Sequence, residues 1–176
     1  MQIVELYVEL KIPDVTALSA AGTLRRRLGY DDVLRELKRG DFYRISLDVD
    51  SEDEAVDMVQ DMAENTNIFV NPNKHSFSVF AGHHNSVAID DSTDTAVNVL
   101  VIDPASGSGE AILNALQGRL GYGDVVKQVV TGTLWTLVLD VEDAADAKEI
   151  TEEIAVTRSR QNGLLMNPHY QDYEMW

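Results

Sequence analysis

Residues 27–33 read "RLGYDDV", and residues 119–125 read "RLGYGDV". The offset of 92 positions continues downstream, because "LDV" at 47–49 returns at 139–141. So many ordered coincidences indicate a tandem duplication, and a repeated sequence predicts a repeated fold. This pair of heptapeptides therefore decides how the rest of the chain is interpreted.

A second repeated feature, an Asn-Pro pair, sets the bounds of the two copies. It occurs in "IFVNPNKHSFSVF" at 68–80 and again in "LLMNPHYQDYEMW" at 164–176, which is 96 positions later. The second copy thus has four extra residues, which the alignment places within "TRSRQNG". We predict a first repeat over 1–80, a linker of small, polar and acidic residues over 81–96, and a second repeat over 97–176.

Hydrophobic periodicity predicts the first strand and the first helix of each copy. Residues 3–10 alternate between apolar and polar positions, which is typical of a strand with one buried face, and 97–102 are their counterpart. The apolar positions at helical spacing are Leu18, Ala21, Leu24 and Leu28 in copy one, and Ile112, Leu113, Leu116 and Leu120 in copy two. We expect Gly29 and Gly121 to end these helices.

The remaining elements follow from turn and capping signals. A long second strand region runs from Val33 to Val49, and Gly40 predicts a bend or bulge within it. Ser51 and Glu54 have the spacing of a capping box at the start of the second helix. The proline of the Asn-Pro pair excludes a helix and predicts extended chain before the final strand.

The element order predicts an α+β fold. We expect two β-α-β-α-β repeats with antiparallel sheets and with helices on the outer faces. One copy of about 80 residues is a thin layer that leaves a sheet face uncovered, because small domains bury proportionally little surface. A second copy can cover it, so the repeats are predicted to pack as an intrachain pseudo-dimer.

The composition excludes several classes of function. The net charge is −16, from 30 acidic and 14 basic residues, so the chain is expected to bind neither nucleic acid nor anionic membrane. No apolar run approaches the ~20 residues that span a bilayer, and we interpret the N-terminus as lacking a signal peptide. The absence of cysteine excludes disulfides, thiol catalysis and thiolate zinc sites. A cytoplasmic location is expected.

The sequence contains no constellation that predicts catalysis. The stretch "SGSGE" at 106–110 lacks the pattern of a nucleophile elbow, so Ser108 is interpreted as a helix-start residue. There is no Walker spacing, and "GYG" at 121–123 lacks the third glycine of a dinucleotide fingerprint. The adjacent His83 and His84, near Asp90 and Asp91, are only a weak metal signal. We predict no catalytic residue, no metal site and no cofactor.

The segments "YVELK", "LGYDDV", "YRISLDV" after a glycine, and "NPHYQDYE" follow one another along the chain. Together they resemble the PurS family, the small subunit of bacterial and archaeal formylglycinamidine ribonucleotide synthase. The habitual ending of the family is Asn-Pro, two or three residues, and then Asp-Tyr-Glu. The residues that match this ending are Asn167, Pro168, Asp172, Tyr173 and Glu174.

The resemblance implies a subunit of a ligase complex that has no active site of its own. PurS proteins pair, and the pair bridges a PurQ-type glutaminase and a PurL-type, ATP-dependent synthetase for ammonia transfer in purine biosynthesis. The chain departs from the family in carrying two fused copies, and Ser76, Phe77 and Ser78 replace the first Asp-Tyr-Glu. Further association of fused chains is left open. The candidate partner-interface residues are Asn167, Pro168, Asp172, Tyr173, Glu174, Gly121, Tyr122, Gly29 and Tyr30.

A second hypothesis comes from a different class of protein. Paired strand–helix domains can also form small-molecule-sensing regulatory modules. In that case glycines 29, 40, 121 and 132 would line a ligand cleft between the repeats. Each glycine also has a simpler interpretation as a helix end or a bend in a strand.

Overall fold

The computed structural model describes residues 1–82, 94–156 and 164–176. Most of the predicted linker and the segment "TRSRQNG" lie outside these ranges. The elements of copy one are β1 (Gln2–Leu10), α1 (Val15–Leu28), β2 (Leu34–Leu47), α2 (Glu52–Asn65) and β3 (His75–Ala81). Those of copy two are β4 (Thr95–Ile102), α3 (Ser108–Arg119), β5 (Val126–Leu139), α4 (Ala144–Ala155) and β6 (Asp172–Met175). The predicted α+β class and element order are confirmed.

The strands of the described chain form one six-stranded sheet in the order β3-β1-β2-β5-β4-β6. β1 runs antiparallel to β2 and to β3, with Leu6 opposite Tyr43 on one side and opposite Val79 on the other. β4 runs antiparallel to β6, with Val101 opposite Tyr173. The two copies thus contribute to one sheet rather than to two, because β2 and β5 are neighbours and neither is left as an unpaired edge.

Side-chain caps fix where three of the described helices begin. Asp14 accepts the N–H of Thr16 at 2.7 Å before α1, and Asp143 caps α4 in the same way. Ser51 accepts the N–H of Glu54 at 3.2 Å before α2, as the capping-box spacing predicted. Each cap satisfies a backbone donor that has no partner within its helix.

Glycine in the left-handed conformation follows α1 and α3. Gly29 has a φ of 81° and Gly121 a φ of 82°, which is a region that favours glycine because it has no Cβ. The predicted helix ends at these glycines are confirmed. Ser108 is the first residue of α3, as expected. Among the described residues, no helix has the length and apolar character needed to cross a bilayer.

The chain divides into two compact units, and each unit draws on both copies. One unit contains β1, α2, β3 and α3, with β2 from Gly40 onwards and β5 up to Gly132. The other contains α1, β4, α4 and β6, with β2 up to Arg39 and β5 from Thr133. We call them unit 1 and unit 2. The first helix of each copy therefore belongs to the unit that holds the other copy's first strand.

The core of unit 1 joins strands of copy one to a helix of copy two. Its buried residues include Val4, Leu6, Val8, Ile45, Leu47, Ala55, Val59, Met62 and Leu116. Leu116 is the buried residue of α3, whereas most of the others come from copy one. Full burial of such side chains contributes roughly 1.5–3 kcal/mol each. Because Leu116 is one of them, a helix of copy two helps to stabilise the core of unit 1.

The core of unit 2 has the reciprocal composition. Its buried residues include Ala17, Ala21, Leu24, Val97, Val99, Val101, Trp135, Leu137, Leu139, Ala147 and Ile154. The first three come from α1, which places its apolar stripe against strands of copy two. Neither core is complete without residues of both copies.

Two residues that were expected in buried helical stripes, Leu18 and Leu120, are exposed. Leu120 is 39% exposed and follows Arg119, the last residue of α3. Leu18 was expected in the buried stripe of α1 but is 61% exposed, because the stripe runs through Ala17, Ala21 and Leu24 instead. The strand β2 is continuous from Leu34 to Leu47, so the interruption expected near Gly40 is absent, and a bend or bulge there stays a prediction. A Cβ at Gly40 would collide with the Tyr7 ring, so the close approach of this ring explains the glycine.

Candidate partner-binding surface

The Asn-Pro pair of copy two builds the turn that leads into β6. The side-chain oxygen of Asn167 accepts the N–H of His169 at 3.1 Å, and its carbonyl accepts the N–H of Gln171 at 3.0 Å. The side-chain oxygen of Gln171 accepts the N–H of Asn167 at 2.7 Å in return. Together with the fixed φ of Pro168, these bonds hold a tight turn. Asn167 and Pro168 therefore position the tail.

The Asn-Pro pair of copy one builds the same turn. The side-chain oxygen of Asn71 accepts the N–H of Asn73 at 3.0 Å, and its carbonyl accepts the N–H of His75 at 2.8 Å. The imidazole Nδ1 of His75 accepts the N–H of Asn71 at 3.2 Å, as the amide of Gln171 does in copy two. The sequence contains the pair twice because both final strands need this turn.

After the turn, the two tails differ. Phe77 of β3 packs against the core of unit 1. Tyr173, at the matching position of β6, is 36% exposed, and its hydroxyl donates to Glu152 at 3.2 Å. Burial, followed by the charge of Glu152 and the hydrogen bond to it, raises the pKa of Tyr173. Copy two thus presents a neutral phenol and the exposed Asp172 where copy one presents a packed ring and Ser76.

A pocket of about 440 Å³ opens beside the second tail. It is lined by Val156, Met166, Pro168, Gln171, Asp172 and Tyr173. Val156 follows the end of α4, and the other five belong to the Asn-Pro turn and to the start of β6. Three residues of the family-like ending therefore line one concave surface. Gln171 and Val156 were missed at the sequence level, although the four-residue spacing from Asn167 to Gln171 was a visible turn signal.

The Gly-Tyr pairs join distant parts of the chain within each unit. In unit 1 the hydroxyl of Tyr122 donates to Asp61 of α2 at 2.8 Å. In unit 2 Tyr30 makes the corresponding hydrogen bond to Glu153 of α4. Burial first, and then the partner carboxylate, raises the pKa of each tyrosine. These hydroxyls therefore fasten the first helix of one copy to the second helix of the other.

The structure separates the candidate residues into two groups. Asn167, Pro168, Asp172, Tyr173 and Glu174 lie together in unit 2, with Pro168, Asp172 and Tyr173 around the pocket. The remaining candidates are divided between the units, with Gly29 and Tyr30 in unit 2 and Gly121 and Tyr122 in unit 1. Contact of any of them with a partner protein stays a prediction.

The described residues contain no group of three His, Asp or Glu side chains that could hold a metal ion. The weak metal signal at the sequence level came from His83, His84, Asp90 and Asp91. All four lie outside the described residues.

A buried polar pair in each unit was not predicted. Glu5 is only 1% exposed, and its carboxylate accepts a hydrogen bond from Arg44 at 2.9 Å. In unit 2 the hydroxyl of Thr136 donates to the buried amide oxygen of Asn98 at 2.7 Å. Simple alternation along β1 places Glu5 on a polar face, and only the strand register reveals that it lies opposite Arg44.

The fold and the tail together define a class: a small α+β protein of two interlocked β-α-β-α-β copies, with a polar tail beside a pocket. Residues 99–176 match the family model PurS, described as phosphoribosylformylglycinamidine (FGAM) synthase. The match begins within β4 and includes α3, α4, the Asn-Pro turn and the tail. The second copy is therefore similar to PurS. No curated protein and no solved structure matches the chain.

Proposed function

We propose that the chain is a non-catalytic assembly subunit of FGAM synthase, acting in the cytoplasm. In this role it bridges a PurL-type synthetase and a PurQ-type glutaminase and supports ammonia transfer between them. The observation that carries the proposal is the PurS similarity of residues 99–176, which includes the tail that copy two presents at its surface. The proposal also treats residues 1–80 as a diverged PurS-like repeat, with 81–96 as the linker to 97–176.

The geometry supports an assembly role in a second way. Tyr30 and Tyr122 make hydrogen bonds within their units, and Asn71 and Asn167 shape turns. Their polar groups thus stabilise the fold. The hydroxyl of Tyr173 likewise donates to Glu152. The exposed carboxylate of Asp172 therefore remains as the polar group of this tail that a partner can contact.

Reconstitution with purified subunits tests the proposal. The chain, the PurL-type synthetase and the PurQ-type glutaminase of one organism are mixed with glutamine and nucleotide, and then separated by size-exclusion chromatography with light scattering. We expect a ternary complex and an increase in glutamine-dependent amidine formation when the chain is added. Separate elution of the three proteins, with activity unchanged by the chain, would contradict the proposal.

The ligand-sensing alternative depends on glycines that line a cleft. Gly29 and Gly121 instead end helices in the left-handed conformation, and Gly40 accommodates the ring of Tyr7. Three of the four glycines therefore have a structural explanation. A thermal-shift screen of amino acids and nucleotides tests the alternative, because a ligand at 100 times its Kd adds ~2.7 kcal/mol to stability. We expect no shift.

A further inference from the structure

The pocket beside the second tail combines apolar walls with an acidic rim. Val156, Met166 and Pro168 supply the apolar surface, and Asp172 supplies a carboxylate that is exposed to solvent. Its volume of about 440 Å³ falls in the range of pockets that hold ligands or anchoring side chains. A surface of this kind fits a side chain that has an apolar stem and a cationic head.

The first tail provides an internal comparison. Ser76 and Phe77 occupy the positions of Asp172 and Tyr173, so the carboxylate is absent there. In copy one the ammonium of Lys11 donates to the carbonyl of Pro72 at 2.7 Å. The Asn-Pro turn of copy one thus has a cation of its own chain beside it, whereas copy two has an acid at the corresponding tail.

We propose that the pocket receives an arginine side chain of the synthetase partner. This inference rests on the proposed function and names the contact through which it is exerted. The methylene stem of the arginine packs against Met166 and Pro168, and its guanidinium pairs with the Asp172 carboxylate in bidentate geometry. The ring of Tyr173 offers an aromatic edge and face beside that head group.

Arginine fits this surface better than lysine or an apolar anchor. Its planar fork matches a carboxylate with two parallel hydrogen bonds, and it stacks on aromatic rings such as Tyr173. Arginine is also among the residues that most often dominate binding energy at protein interfaces. A purely apolar anchor would leave the Asp172 carboxylate to be desolvated without a partner.

Calorimetric binding of the purified synthetase to the full-length chain tests the proposal. We expect Asp172→Asn to weaken the Kd about tenfold or more, because it removes the charge but keeps the size of the side chain. Asp172→Glu keeps the charge and is expected to remain within about threefold of the unaltered chain. Asp57→Asn removes an equal charge from an exposed site on α2 and is the matched control. Thermal unfolding of each variant verifies that the fold is retained.

The possible results separate the pocket from the assembly role. If the unaltered chain binds the synthetase and Asp172→Asn binds equally well, the pocket proposal is overturned and the proposed function stands. If the unaltered chain does not bind, both fall. Equal weakening by Asp57→Asn and Asp172→Asn would show a general charge effect and would overturn the anchor. Self-association that depends on Asp172 without synthetase would identify a second copy as the occupant and would also overturn it.

Discussion

The two compact units use the same set of polar contacts at positions that lie 92 residues apart. In unit 1 the pairs are Tyr122 with Asp61, Gln117 with the Val126 carbonyl, and Lys127 with Asp48. In unit 2 they are Tyr30 with Glu153, Arg25 with the Leu34 carbonyl, and Arg35 with Asp140. Such correspondence between the two halves identifies contacts that both units have in common.

The units differ where the fold leaves a choice. Unit 1 buries a Glu5–Arg44 ion pair, and unit 2 has the uncharged Asn98–Thr136 pair at the matching place in its strands. The tails differ as well, since only copy two has the Asp-Tyr-Glu ending. We infer that the shared contacts belong to the fold, and we propose that the second tail contacts the partner protein.

The largest change in stability is expected in the two cores, each of which contains residues of both copies. Leu24→Ala and Leu116→Ala each remove a fully buried leucine, so each should lower the free energy of unfolding by about 3–4 kcal/mol in urea titrations. Hydrogen exchange adds the location of the effect. Leu24→Ala should accelerate amide exchange at 97–101 of β4, and Leu116→Ala should do so at 4–8 of β1. Faster amide exchange of β1 in Leu24→Ala, with β4 unchanged, would contradict the packing of α1 against strands of copy two.

The first helix of each copy packs against strands of the other copy, and this arrangement marks the limit of what the sequence predicts about the fold. The spacing of Leu24 and Leu116 shows that both are buried, and the caps at Ser51 and Gly29 fix helix ends from local chemistry alone. Periodicity describes one face of one helix, however, and it does not specify which strands lie beneath that face. The misplacement of Leu18 has the same origin, because small residues such as Ala17 can form the contact stripe as well as leucine.

The next largest loss of stability is expected at the buried polar pairs, and it should differ between the two units. Glu5→Ala leaves the guanidinium of Arg44 largely buried without its carboxylate partner, so it should lower the free energy of unfolding by about 2–3 kcal/mol. Asn98→Ala removes a neutral partner and should lower it by about 1–2 kcal/mol. Glu9→Ala, on the same strand but less buried, is the control. Equal losses for Glu5→Ala and Glu9→Ala would show that the ion pair has no special role.

The two tyrosine contacts should behave alike. Tyr30→Phe and Tyr122→Phe should each lower the free energy of unfolding by about 1 kcal/mol. Because the folded-state pKa of both tyrosines lies above 10.0, their contribution is fully present below pH 10 and is lost as pH rises through the folded-state pKa. In alkaline unfolding titrations, the free energy of unfolding should therefore fall less in these variants than in the unaltered chain. The exposed Tyr170→Phe is expected to change nothing.

The smallest effect concerns the ion pairs at the ends of the long strands. Arg35 pairs with Asp140, and Lys127 approaches Asp48 at 3.6 Å, all with side chains that remain largely exposed. Arg35→Ala and Lys127→Ala should each cost no more than about 0.5 kcal/mol, and less in high salt. A loss above about 1 kcal/mol in either variant, by urea unfolding, would mean that these pairs do more than surface charges usually do.

The candidate surface was predictable in part. The Asn-Pro and Asp-Tyr-Glu motifs located the tail of copy two, and the divergence at Ser76 and Phe77 was visible by aligning the copies. The pocket was not predictable, because Val156 lies far from Asp172 along the chain and meets it only through the packing of α4 beside β6. The internal roles of Tyr30 and Tyr122 were also hidden, since each hydroxyl finds its acid in the other copy.

Exchange of the two tails shows whether the ending of copy two carries the binding to the synthetase. One variant places Ser-Phe-Ser at 172–174, and the other places Asp-Tyr-Glu at 76–78, with both chains verified as folded by thermal unfolding. Binding of the purified PurL-type synthetase is then measured by calorimetry. We expect the first variant to lose binding and the second to bind like the unaltered chain. Full affinity in the first variant would contradict the claim that the ending of copy two is the surface through which this protein assembles.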